Sequence, residues 1–192
     1  MIHDGLEMIL LDLDGTLLNS DSTLPDKNKH VVKDLISNDY KVAIATGRTY
    51  QEAKDLTGDI LDLAYITTNG SYIQDFKGEV IYNKTIDQDL AMSILDVLSD
   101  YPSLVTAVSL NHRVLLEKVS EFVEIIFSNI ENDKLKQFSK EELAAEKDKL
   151  RKYLKEVDNF NSYIKNNKIE IQKIFTLGQE DDNLDPIQSR LK

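Results

Sequence analysis

Cysteine is absent from the 192-residue chain, which excludes disulfides and thiolate metal sites and suits a reducing cytoplasm, the expected location. Long apolar runs are absent too. None approaches the roughly 20 residues that a membrane-spanning helix needs, so no membrane partner is expected. Residues 1–7 have no basic stretch leading into an apolar one, and a secretory leader is not expected. Cationic side chains are outnumbered. The 23 Lys and Arg against 34 Asp and Glu give a net charge of −11, which argues against a nucleic-acid surface. No aromatic row offers bases a stacking platform. His3, His30 and His112 lack metal-site spacing, no internal repeat is visible, and nothing in the pattern specifies an oligomeric state.

What is present starts with Met8-Ile9-Leu10-Leu11, an unbroken apolar run that stops at Asp12. Lack of alternation predicts a strand buried on both faces, as in a parallel sheet. Asp12 would sit at its carboxyl end, where open α/β sheets bind ligands. Asp14 follows, and Gly15 lets the chain turn away. Two carboxylates at the mouth of a buried strand need partners, and a hard divalent cation is the obvious one. Pro25 and Asp26 suit the first turn of a helix carrying Val31, Val32, Leu35 and Ile36. Val42-Ala43-Ile44-Ala45 is the second buried strand, ending at Thr46-Gly47-Arg48, with a helix from about Thr49. Such a turn points backbone N–H groups and a helix N-terminus at an anion, and the Thr46 hydroxyl can add a bond to phosphate. The intervening helix predicts a right-handed βαβ crossover. Ala64-Tyr65-Ile66 reads as a third core strand before Thr67-Thr68-Asn69-Gly70, and residues 71–76 and 80–83 read as a hairpin around Lys77-Gly78.

Asp12-Leu13-Asp14-Gly15-Thr16-Leu17 resembles the first motif of the haloacid-dehalogenase-like phosphohydrolases. The resemblance implies that Asp12 is the nucleophile, forming an aspartyl-phosphate, and that Asp14 protonates the leaving oxygen and then activates water. A carboxylate attacks phosphorus only when the phosphoryl charge is neutralised, hence an expected Mg2+ cofactor held by Asp12 and the backbone carbonyl of Asp14. Ala45-Thr46-Gly47-Arg48 resembles the second motif, which places Thr46 on the phosphoryl group, with Gly47 beside it and Arg48 helping to bind substrate. The family pattern also puts Asn69 and Gly70 near the site; an Asn-Gly turn into the next strand accounts for them equally well.

Beyond residue 83 the pattern changes. Asp87 is a predicted N-cap for a helix carrying Leu90, Ala91, Ile94, Leu95 and Leu98. Residues 104–110 and 113–118 read as half-buried strands of an antiparallel sheet with one wet face, and a helix from Ser120 carries Phe122, Val123, Ile125, Ile126 and Ile130. Residues 131–167 are rich in charge. Ser139-Lys140-Glu141-Glu142 is a capping box, Leu143, Leu150, Leu154 and Val157 give a stripe on a solvated helix, and Asp148 and Lys152 are placed as an i,i+4 pair. Residues 168–177 alternate as a one-face strand, and Asp185-Pro186 begins a helix.

The fold expected is therefore α/β: an incomplete Rossmann-like parallel-sheet core at 1–83, then an α+β cap or lid at 84–192, inserted after the third core strand. The whole chain resembles the Cof-like branch of the family. In that branch the core resumes after the cap and supplies a lysine and a Gly-Asp-x-x-Asn-Asp motif. Gly178-Gln179-Glu180-Asp181-Asp182-Asn183 mimics that motif in part, but Gln179 replaces its first aspartate, so a polar loop is the better account. Lys173 reads as a cap residue. The expectation is a Mg2+-dependent phosphatase for a small phosphorylated metabolite, a sugar phosphate or phosphorylated cofactor, with this chain itself weak or inactive. The alternatives are a non-catalytic remnant that binds a phosphorylated ligand or partner protein, and a phosphomutase or sugar-phosphate phosphatase of a related cap type.

Overall fold

A computed structural model describes residues 8–19, 21–58, 60–128, 139–178, 187 and 190. The expectations for residues 1–7, Ile130, 179–183 and 185–186 lie outside the described residues. The chain divides into two compact units, Met1–Lys84 and Thr85–Lys192.

The first unit is built on five strands in the order β1-β2-β3-β4-β5. These are β1 (Met8–Leu11), β2 (Lys41–Ala45), β3 (Leu63–Thr67), β4 (Tyr72–Gln74) and β5 (Val80–Asn83). The first three are parallel, with α1 (Asp26–Ser37) and α2 (Tyr50–Thr57) as the connecting helices, and the hairpin adds two antiparallel strands. β2 is an uninterrupted core strand, with Val42, Ala43 and Ile44 at 0–1% exposure. Tyr65 is buried among them. Burial pushes its phenol pKa up, while the Thr57 hydroxyl 2.7 Å away gives its oxygen a partner.

β1 departs from expectation. Its unbroken apolar run predicts burial on both faces, yet Met8 and Leu10 are 42% and 54% exposed. The reason is position: β1 is the end strand of the described sheet and pairs only with β2 there, so its apolar run has cover on one side only. The anchor lies further on, in Leu13, which is fully buried in the core cluster with Val32, Val42, Ile44 and Tyr65.

The second unit carries a four-stranded sheet, ordered β8-β7-β6-β9. The strands are β6 (Val105–Ser109), β7 (Val114–Leu116), β8 (Leu154–Glu156) and β9 (Lys173–Leu177). Among the described residues they are accompanied by the helices α3 (Gln88–Ser99), α4 (Val119–Ser128), α5 (Lys140–Arg151) and α6 (Phe160–Asn166). Asp87 caps α3, and Ser139 with Glu142 forms the capping box of α5.

Two expectations for this unit are corrected. The central strands have no wet face. Val108 and Leu115 pack with Ala91 and Leu95 of α3 and Phe160 and Ile164 of α6 on one side, and Val105, Ala107, Val114 and Leu116 pack with Phe122 of α4 on the other. Nor does the charged helix extend through Leu154 and Val157. It ends at Arg151, and Leu154 lies in β8, parallel to β7, with the Val114 N–H donating to the Tyr153 carbonyl at 2.9 Å. An unfilled edge beside a buried strand outweighs one more turn of a solvated helix, because β7 needs partners for its backbone groups. Asp148 pairs with Arg151 at 3.0 Å.

Burial separates two leucines close in sequence. Leu13→Ala is expected to lower unfolding free energy by roughly 2–5 kcal/mol, and Leu10→Ala by no more than about 0.5 kcal/mol, in urea denaturation. Equal losses would contradict the edge position of β1.

Candidate functional site

Three turns meet at the carboxyl ends of the parallel strands. The pairing of Leu11 with Ile44, and of Ala45 with Ile66, puts Asp12, Ala45 and Ile66 in one row across the sheet. These residues, together with Thr46, Gly47, Asn69 and Gly70, line a pocket of about 360 Å³. Strand ends of parallel sheets are where such folds place ligands, since the chain leaves the sheet there and exposes backbone groups.

The first turn is closed by the Leu18 N–H donating to the Leu13 carbonyl at 2.9 Å, with Gly15 at φ +72°. The Leu13 N–H donates to Asp12 Oδ1 at 2.7 Å. That bond holds the carboxylate by one oxygen at the pocket lining. Asp14 lies outside the pocket lining. Its carboxylate takes a two-pronged grip from Arg48, with Nε donating to Oδ2 at 2.9 Å and Nη2 to Oδ1 at 2.7 Å. Arg48 is thus placed on Asp14, and it too is outside the pocket lining.

The second turn is held by main-chain bonds. The Thr46 N–H donates to the Ile66 carbonyl, and the Thr68 N–H to the Arg48 carbonyl, both at 2.9 Å. The Arg48 N–H donates to Thr46 Oγ1 at 3.3 Å. With its oxygen accepting that bond, Thr46 keeps its own O–H to offer an anion. A Cβ on Gly47 would lie 3.4 Å from Asn69 Oδ1, so the glycine lets the two turns close on each other.

The third turn is strained. Thr68, Asn69 and Gly70 have φ of +50°, +57° and +88°. A left-handed β-branched residue is an outlier, and such strain persists only where surrounding structure holds it. Thr68 is 2% exposed, and its Oγ1 has no hydrogen-bond partner among the described residues. The cost brings Asn69 to the pocket wall, beside Gly47.

One carboxylate of this neighbourhood, Glu52, is not among the residues that the sequence points to. Glu52 is only 8% exposed and closes the capping box of α2. Its Oε2 accepts from the Thr49 N–H at 2.9 Å and the Thr49 hydroxyl at 2.7 Å, and its Oε1 faces Arg48 Nη1 at 4.0 Å. The Thr-x-x-Glu spacing directly after Thr-Gly-Arg was the available signal.

Hard oxygen donors at Asp12, with the Asp14 main chain adjacent in sequence, suit Mg2+, which keeps most of its waters and takes one or two carboxylates. Among the described residues no group of three or more His, Cys, Asp or Glu is arranged to hold a metal.

The family model for haloacid dehalogenase-like hydrolases matches residues 9–192. The chain belongs to that family. It is 40% identical over 85 residues to an HMP-PP phosphatase of Enterobacter sp. (strain 638), covering 44% of this chain and 31% of that protein. It is 36% identical over 93 residues to the 5-amino-6-(5-phospho-D-ribitylamino)uracil phosphatase YwtE of Bacillus subtilis (strain 168), covering 48% and 32%. The matches thus span about a third of these curated relatives. A solved haloacid dehalogenase-like hydrolase from B. subtilis superimposes with a TM-score of 0.76 over 96% of this chain and 66% of its own, at 20% identity, which supports the α/β fold.

The turn geometry sets a stability test. Gly15 has no atom near a would-be Cβ, so Gly15→Ala carries only the backbone penalty of a positive φ. Chemical denaturation should show a loss of about 1–2 kcal/mol; no loss would mean that the turn is not left-handed in solution.

Proposed function

We propose that the protein is a phosphatase for small phosphate monoesters, working through a phosphoryl group carried on Asp12. The observation that carries this reading is the single pocket wall shared by the Asp12 carboxylate, Thr46, Gly47 and Asn69. A nucleophile, a hydroxyl donor, a close-approach glycine and an amide converge there, as a phosphoryl group requires. The names of both curated relatives denote phosphatases, and one of them a phosphorylated ribitylamino compound. A sugar phosphate or phosphorylated cofactor is the substrate class this supports.

In this scheme the unengaged oxygen of Asp12 attacks phosphorus and the ester oxygen leaves, taking its proton from Asp14. Asp14 then draws a proton from the water that cleaves the aspartyl-phosphate, returning Asp12. Thr46 and Asn69 hold the phosphoryl oxygens. Mg2+, held by Asp12 and the Asp14 main-chain carbonyl, would supply neutralising charge for the transferring group. The described pocket lining holds no cationic side chain, and Arg48 is engaged by Asp14, so turnover by these residues is expected to be slow.

Hydrolysis of an aryl phosphate, assayed with and without Mg2+, tests the reading. The wild type should show a Mg2+-dependent rate that Asp12→Asn reduces to background. Identical rates in the two proteins would reject catalysis and favour a binding role for the pocket.

A further inference from the structure

The mechanism asks Asp14 to serve as acid and then as base, yet nothing in its own turn fixes that carboxylate. Its side chain is 55% exposed, and the turn around it is shaped by glycine and by main-chain bonds. An exposed aspartate samples several rotamers, and only some of them reach a leaving oxygen. The structure supplies an external holder in three steps.

Arg48 presents its fork edge to Asp14, with both bonds between 2.7 and 2.9 Å. Two parallel bonds fix the plane of a carboxylate, which a single point charge does not. Arginine is itself a long side chain with many rotamers, so it must be held in turn. Its backbone is pinned at both ends, by the N–H to Thr46 Oγ1 and by the carbonyl to the Thr68 N–H. On its far side stands Glu52, whose Oε2 is bonded twice to Thr49 while Oε1 faces Arg48 Nη1 at 4.0 Å. Glu52 is thus anchored by two bonds and almost buried, and the guanidinium lies between two carboxylates from different turns.

We infer that Glu52 is a positioning residue for Asp14, acting through Arg48. The relay runs from the capping box of α2 through the guanidinium to the acid–base carboxylate. It assigns Thr49 and Glu52 a part beyond starting a helix, and it makes Arg48 a holder of Asp14. The relay rests on the proposed phosphatase reading for its catalytic consequence, but the clamp exists independently of turnover.

Glu52→Gln separates the two parts of Glu52. The amide oxygen still accepts both Thr49 bonds, so the cap is kept while the charge facing Arg48 is lost. Two readouts are taken on the full chain. The first is hydrogen exchange of the Arg48 Nε–H with water, followed by NMR. The second is the kcat and KM of Mg2+-dependent aryl phosphate hydrolysis. The relay predicts faster Nε–H exchange in Glu52→Gln at an unchanged melting temperature, with kcat reduced about tenfold and KM unaltered. Arg48→Lys, which keeps the charge and loses the fork, should show the same kcat loss. Nε–H exchange at the wild-type rate in Glu52→Gln would overturn the relay, as would a lowered melting temperature with exchange and kcat both unchanged. Wild-type hydrolysis no faster than that of Asp12→Asn would sink the phosphatase reading, and the Nε–H exchange would then decide the relay by itself.

Discussion

The register of three parallel strands is the constraint on which the site depends. Pairing Leu11 with Ile44, and Ala45 with Ile66, brings the ends of β1, β2 and β3 level, so that three separate turns leave the sheet side by side. A slip of one residue would turn Asp12 to the opposite face, because side chains alternate along a strand. The register is enforced by burial. Val42, Ile44 and Tyr65 are almost fully enclosed, and Leu13 locks the first turn onto the same core. Hydrophobic packing, which carries no chemistry itself, thereby fixes where a carboxylate, a hydroxyl and an amide meet.

Around that row the polar groups are arranged to limit one another. Asp12 is steadied by the Leu13 N–H, Thr46 accepts from the Arg48 N–H, and Arg48 grips Asp14 while facing Glu52. Strain is concentrated in the Thr68–Gly70 turn, where a β-branched residue takes a left-handed conformation and the Thr68 N–H bonds to the Arg48 carbonyl. Preorganisation of this kind is what phosphoryl chemistry demands, since most of the barrier is lowered by fixed charges and fixed geometry.

Much of the first unit was legible in the sequence. Unbroken apolar runs marked β1, β2 and β3, and the residues that stop the first two, Asp12 and Thr46, meet in one pocket with Asn69, three residues past the third run. What a run of apolar residues does not specify is its place in the sheet. Met8 and Leu10 look like core residues, but their exposure depends on which strands flank β1. The second unit was less legible for the same reason. Alternation in β6 reported one apolar face, whereas helices cover both, and the residues between are small enough to be buried, as with Ala107 and Ser109. Leu154 fitted a helical stripe, and only the free edge of β7 drew it into a strand. Glu52 is not legible as a site residue in the sequence because a capping box explains it completely at the level of one helix, and its second partner, Arg48, emerges only in three dimensions.

The central claim is that the level strand ends make Asp12 the atom donor to phosphorus. Its most direct test is acid quenching of the protein during incubation with Mg2+ and a phosphate ester, followed by mass spectrometry of its peptides. The account predicts a phosphoryl group, labile to hydroxylamine, on the peptide that contains Asp12 and on no other. Release of phosphate with Asp12 unlabelled, or a phosphoryl group on a different side chain, would contradict it.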